Sequence, residues 1–234
     1  MATGDCNGYA TNDLRSFGRK RGRKPSPRQE ALIADMLPRL RIDLTALPPD
    51  LTRLFRVAVS DVWLEVGFGG AEHLVHQARL NPVAGLIGCE PFEDGVVKAV
   101  VAVADRDLDN IRLHPDDVRP LLRVLPEASL GKVFILFPDP WPKSRHAKRR
   151  LVSKLFLDHL ARVMRPGAEL RIATDIAAYA RLVLTAALPH AAFRWTATQA
   201  SDWRTPWPDW PGTRYEAKAL REGRRPMYLT FTRI

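Results

Sequence analysis

From Asp61 onward, short apolar runs alternate with longer stretches in which apolar residues recur every three or four positions. The short runs at 62–66, 84–89, 111–113, 132–137 and 169–174 are of strand length and apolar on consecutive residues, as in strands buried on both faces. The stretches between and after them, at 72–80, 95–104, 118–125, 151–164 and 176–187, carry the helical period. Five strands separated by helices predict an α/β, Rossmann-like fold with a doubly wound, mostly parallel sheet. After residue 190 the rhythm changes. Two further strands, 193–199 and 227–233, flank a Pro-rich loop holding Trp203, Trp207 and Trp210, which predicts a terminal antiparallel hairpin. At the other end, 29–37 reads as a helix and 1–28 as a disordered basic arm, leaving 29–234 as a single domain.

Composition fits one ordinary globular core: 234 residues, 46 % hydrophobic and 26 % charged. No apolar run approaches the ~20 residues that span a bilayer, and the amino terminus lacks a signal-peptide pattern, so a cytoplasmic protein with no membrane contact is expected. Cys6 and Cys89 make neither a disulfide framework nor a metal spacing, and His73 and His76 have no third ligand, so no metal is expected. The formal charge of +10 changes the picture more. Residues 15–28 carry seven basic groups and no acidic one, a block that a polyphosphate would neutralise. Nucleic acid is the leading partner class; a localisation tract or a solubilising tail are the alternatives.

The densest chemistry lies at 137–150, F-P-D-P-W-P-K-S-R-H-A-K-R-R. Pro138 must end the fourth strand, so Asp139, Trp141 and then five Lys/Arg within eight residues leave the sheet at a carboxyl edge, where open α/β sheets bind ligands. A plain surface loop running into a helix is the alternative, but basic residues there would oppose the helix dipole. Trp141 is open to two readings, a platform for a base or an aromatic bracing the loop. Lys143, Arg145, Lys148, Arg149 and Arg150 suit backbone phosphates, and the three loop tryptophans read as scaffold.

The first strand ends in E-V-G-F-G-G-A-E (65–72). Gly67 and Gly69 allow a tight turn and close ligand approach, but Glu72 occupies the place of the third glycine of a dinucleotide fingerprint and would repel a pyrophosphate. Glu65, two residues before the first glycine, suits a cationic ligand instead. Glu90, about 20 residues on, sits where an acid accepts ribose hydroxyls, and Asp117 follows the third strand within reach of an adenine. An adenosine with a cationic, phosphate-free tail is S-adenosylmethionine.

These motifs, with G-C-E-P-F, N-I-R-L-H-P-D-D, A-T-D and T-R-Y-E, resemble in order those of bacterial tRNA (guanine-N7-)-methyltransferases over residues 60–234. The resemblance implies a class I methyltransferase transferring a methyl group from S-adenosylmethionine to a guanine N7 in tRNA, guanosine 46 of the variable loop. It implies a cofactor held by Glu65, Glu90, Asp117 and Asp139, with Asp139 also catalytic. Lys143, Asp175 and the segment Thr213, Arg214, Tyr215 and Glu216 would meet the tRNA. The chain would act as monomer or homodimer. Ala71 departs from the family's usual glycine; its methyl is tolerated if φ is negative. An exocyclic-amine methyltransferase of RNA or DNA and a non-catalytic RNA-binding protein on the same fold are the competing readings.

Overall fold

The computed structural model describes residues 22–234; most of the expected basic arm, residues 1–21, lies outside the described residues. Seven strands form one sheet: β1 (Asp61–Val66), β2 (Ala84–Cys89), β3 (Ile111–His114), β4 (Leu130–Leu136), β5 (Met164–Thr174), β6 (Phe193–Trp195) and β7 (Met227–Arg233). Their order is β3-β2-β1-β4-β5-β7-β6. β1 to β5 are parallel, and β7 runs antiparallel to both β5 and β6. The last strand therefore slots between its predecessors, where the hairpin alone would not have placed it. Because the chain winds outward from β1 to β3 and then returns to β4, the switch point lies between β1 and β4, and a crevice opens there.

The helices are α1 (Pro27–Leu40), α2 (Glu72–Leu80), α3 (Glu93–Ala104), α4 (Val118–Val124), α5 (Lys154–Val163), α6 (Ala177–Ala187), α7 (Ser201–Arg204) and α8 (Arg214–Arg221). None among the described residues is long and apolar enough to cross a membrane. α1 begins two residues before the expected 29 because Ser26 and Gln29 close a capping box and Pro27 occupies the first turn. Arg28 pairs with Asp105 at the end of α3 at 2.5 Å, and Ile42 donates its N–H to the Leu113 carbonyl, covering the β3 edge. Residues 26–28 thus serve the fold. α5 starts at 154, later than the expected 151, because Ser153 accepts the Phe156 N–H as its cap, and the basic run before it is a 3-10 helix, Ser144–Arg149.

On one face of the sheet, α4, α5 and α6 bury the larger core, with Leu64, Ile135, Leu157 and Val183 fully enclosed. On the other, α1, α2 and α3 cover β1 to β3 around Leu74, Leu86 and Val100. Over β4, β5 and β7 on that second face, the loop after α7 packs Trp207 and Trp210 on Phe134, Ala173 and Tyr228. Trp207 donates to Thr230 Oγ1 at 2.9 Å, and Trp203 packs against the larger core, so all three tryptophans act as scaffold.

Candidate functional site

A cleft of about 410 Å³ opens at the carboxyl ends of β1, β2 and β4, lined among others by Gly67, Gly69, Glu90, Asp117, Asp139 and Tyr215. The glycine turn makes its floor. Gly67 and Gly69 have φ of 73° and 55°, where side chains are strained, and a Cβ on Gly69 would stand 3.1 Å from the Tyr215 ring. Ala71 also lies in the left-handed region, at φ 65°, so the condition under which its methyl would be free of strain is not met. The methyl is buried beside Leu74 and Phe68, which offsets part of a backbone cost of about 1–2 kcal/mol.

Glu90 leaves β2 buried and accepts two backbone N–H groups, from Gly69 at 2.7 Å and from Phe92 at 2.9 Å. Burial pushes its carboxyl above the ordinary glutamate range, with the charges of Asp139 and Glu65 adding and the two N–H groups opposing. One acid thus ties the glycine turn to the loop that opens α3. Asp117 caps α4, accepting the Arg119 N–H at 2.9 Å, and its other oxygen pairs with the Arg119 guanidinium at 2.9 Å. Tyr215, half exposed, lies over the glycine turn; burial first, then Glu90, raises its phenol.

Asp139 is exposed on the opposite wall. Its loop is held in an unusual backbone: Phe137 and Trp141, on either side of Pro138-Asp139-Pro140, have φ of 49° and 39°. Bulky residues there are strained, and such strain is held only where surrounding contacts enforce it. Here the Phe137 N–H bonds the Ala173 carbonyl at 2.8 Å, and Arg150 donates to the carbonyls of Trp141 and Pro142 at 3.1 and 3.3 Å. Arg149 lies over the Trp141 ring at 4.8 Å, and His146 meets its edge. Trp141 is thus a braced aromatic that also lines the cleft, and Arg150, expected on a phosphate, also builds the loop. Lys143, Arg145 and Lys148, in the basic run that follows the Asp139 loop, are exposed.

Other expected site residues lie off the cleft wall. Glu65 is buried behind it, its Oε2 2.7 Å from His73 Nδ1; His73 in turn meets Gln77, which donates to Asp209 in the tryptophan loop. Asp175 pairs with Arg224 at 2.5 Å. Thr213 caps α8 through the Glu216 N–H, Arg214 pairs with Glu72, and Glu216 accepts from Trp210 Nε1 at 2.7 Å and from the Tyr228 hydroxyl. α8 itself was not read from the sequence, where few of its residues are apolar and Ala219 is the one that is buried; the T-x-x-E box was a local signal for it. Arg119 was also missed, although a cation in a helix's first turn, against the dipole, was a signal. Among the described residues no cluster of His, Cys, Asp and Glu is placed to hold a metal.

Four acids, Glu90, Asp116, Asp117 and Asp139, a pair of left-handed glycines and a tyrosine face make a pocket suited to a polar, hydroxyl-bearing ligand with positive charge, beside a strained Asp loop and a basic run. Residues 60–229 match a family described as a putative methyltransferase. A protein named tRNA (guanine-N(7)-)-methyltransferase from Mesorhizobium japonicum is 53 % identical over 93 % of this chain and 94 % of its own. One of the same name from Agrobacterium fabrum is 49 % identical over the same shares. Among solved structures, the 16S rRNA methyltransferase KamB aligns with a TM-score of 0.54 at 18 % identity, covering 78 % of this chain and 92 % of its own. A structure titled an antibiotic related methyltransferase aligns at 0.55 and 14 % identity, covering 81 % of this chain and 96 % of its own. These two likenesses bear on the fold alone.

Proposed function

The chain belongs to the bacterial tRNA (guanine-N7-)-methyltransferases, and from that premise we propose how its cleft is used: Glu90 and Asp117 hold the cofactor, and Asp139 faces the target base. It transfers a methyl group from S-adenosylmethionine to N7 of a guanine in tRNA. The observation that carries the assignment of residues is the convergence of Glu90, Asp117 and Asp139 on one cleft over the Gly67–Gly69 turn.

The donor set fits this cofactor. Glu90 and Asp117 offer carboxylate oxygens to hydroxyl and amino groups, and Gly67 lets backbone come close with no side chain in the way. When bound, S-adenosylmethionine supplies a methyl group on a sulfonium. Guanine N7 carries a lone pair and no proton, so the chain needs no general base. Its work is to align N7 with that methyl and to answer the positive charge that moves onto the purine. Asp139, held by its strained loop at the cleft mouth, accepts from the base edge and faces that charge. The Tyr215 ring closes the cleft over the glycine turn. Glu65 supports the site from behind, through His73 and Gln77. The target within tRNA is guanosine 46 of the variable loop, and the exposed Lys143, Arg145 and Lys148 hold its backbone.

The test is incubation of the protein with methyl-labelled S-adenosylmethionine and unmodified tRNA, followed by nucleoside analysis and mapping. Label in 7-methylguanosine at position 46 is expected. Label in an exocyclic amine of adenine or guanine would overturn the assignment of the target atom, and 7-methylguanosine elsewhere would overturn the position.

A further inference from the structure

Beside the cofactor cleft, on the far side of Arg119 and Leu151, lies a second cavity of about 190 Å³. Its walls carry Arg119, Lys148, Arg150 and His159, with Ser153 at the amino end of α5, and no Asp or Glu. We propose that this cavity is a built phosphate site, taking one backbone phosphate of the tRNA next to the guanosine whose base enters the cleft. The proposal rests on the function given above and adds a subsite to it.

Four features support it. The cavity draws basic side chains from separate stretches, Arg119 from α4 and Lys148 and Arg150 from the basic run, and adds the His159 imidazole from α5. Two of them are fixed in place. Arg119 is anchored on Asp117, and Arg150 on the carbonyls of Trp141 and Pro142, so little side-chain freedom remains to be given up when an anion arrives. Burial first, then Arg123 and Arg162 close by, holds the His159 imidazole below its ordinary range despite the opposing charge of Asp158, so it meets the cavity as a neutral ring that can donate one N–H. The ten-residue helix α5 also turns its amino end toward the cavity, and its dipole has the same sign as the basic side chains. The cavity shares Arg119 and Leu151 with the cleft, so a chain threading both would place a base at Asp139 and a neighbouring phosphate here. Lys148, which by sequence is a general phosphate contact, becomes part of a defined pocket.

The test uses full-length protein and unmodified tRNA, comparing Lys148→Glu, His159→Gln and the control Lys154→Glu. Lys154 is exposed on the same helix and paired with Asp158, outside the cavity walls. Lys148→Glu should weaken tRNA binding about tenfold and lower the salt slope by about 0.7–0.9, the signature of one phosphate no longer neutralised; Lys154→Glu should change affinity less than about twofold. Ethylation of single tRNA phosphates should block wild-type binding at one phosphate beside the target guanosine, and both Lys148→Glu and His159→Gln should lose that sensitivity. Cofactor affinity should stay the same throughout. Equal effects of Lys148→Glu and Lys154→Glu, or an unchanged ethylation pattern, would leave only a diffuse positive field and overturn the pocket. Wild-type protein that forms no 7-methylguanosine would instead sink the function beneath it.

Discussion

The two walls of the cleft are built on opposite principles. The cofactor wall is acidic and largely buried, and is tied together through backbone groups: Glu90 binds the glycine turn and the start of α3 at once. The substrate wall is exposed and basic, and the loop at its centre is strained, with Asp139 between two left-handed aromatic residues. A small ligand needs a site formed in advance, and buried hydrogen bonds provide it. A large polyanion brings its own charge and is drawn by field, so its wall stays open and cationic. The difference predicts that substitutions on the first wall change cofactor affinity, whereas those on the second change tRNA binding, and only Asp139 changes the chemical step.

The largest effect should come from Asp139→Asn, which keeps shape and removes charge. A group aimed at charge that develops in the transition state is commonly responsible for about 10²–10³ in rate. Single-turnover methylation should fall by about that factor, with tRNA and cofactor affinities within about threefold of wild type. A variant that turns over normally would leave the two walls without a shared catalytic residue.

Glu90→Gln should weaken cofactor binding by about tenfold or more, since hydrogen bonds to charged groups contribute about 1.5–3 kcal/mol, while tRNA affinity holds. The pKa shift adds a sign. Because burial raises the Glu90 pKa, its ionised form costs stability in the free protein: folding favours the neutral acid at low pH, and the benefit disappears as pH rises through the folded pKa. Glu90→Gln removes that cost but sets an amide N–H against whichever of the Gly69 and Phe92 N–H groups the replaced oxygen accepted, so the free variant should be less stable at neutral pH, by about 1–3 kcal/mol. Wild-type cofactor affinity should fall as pH is lowered, beginning above the ordinary glutamate range. Calorimetry across pH, with thermal melts of both proteins, checks both statements. A destabilised Gln variant that binds cofactor normally would move Glu90 from ligand to scaffold.

Glu216 sharpens the comparison differently, because family resemblance put it on the tRNA side. Its two oxygens take Trp210 Nε1 and the Tyr228 hydroxyl, and burial together with Glu216 raises the Tyr228 phenol, so that phenol stays a donor. Glu216→Ala leaves both donors without a partner and should cost about 1–3 kcal/mol of stability, read by denaturant unfolding, with the salt slope of tRNA binding unchanged. Wild-type stability with a flattened slope would return Glu216 to the tRNA surface.

This residue shows where sequence reading stops. Strands β2 and β7 and helix α2 have the expected bounds because each is decided by apolar periodicity inside a single segment. Glu90 and Asp117 were legible for a related reason: strand-end position is a local property, and it puts them on the cleft. Glu65 and Glu216 were expected to meet ligands from the motifs they stand in, and the structure also gives each a partner within the protein. Their partners are set by tertiary packing, His73 across the turn into α2, and Tyr228 on the strand that inserts between β5 and β6. α8 escaped because its residues are mostly charged and it lies within what read as a Pro-rich loop, so its one-sided pattern has little apolar content to mark it. The role of Arg150 in holding the Asp139 loop was hidden by its place in a charge run.

The smallest effect per residue, and the most salt-dependent, should come from the amino-terminal basic segment. We propose that its charge adds to the substrate wall and not to the chemistry. The cut must respect the fold, since Ser26 caps α1 and Arg28 pairs with Asp105; removing 1–28 would mix the loss of charge with the loss of a cap, which is about 1 kcal/mol on its own. Deleting 1–21 takes away Arg15, Arg19, Lys20 and Arg21 and leaves the cap in place. If those groups neutralise phosphates, the slope of log affinity against log salt should flatten by about 0.7–0.9 for each phosphate left unneutralised, and the affinity difference from wild type should shrink as salt rises. Single-turnover rates at saturating tRNA should match wild type, because Asp139, Glu90 and the glycine turn are untouched. An unchanged slope would confine the substrate wall to the basic run beside Asp139. A collapsed rate at saturating tRNA would make the segment part of the site, and the division of labour between the two walls would fail.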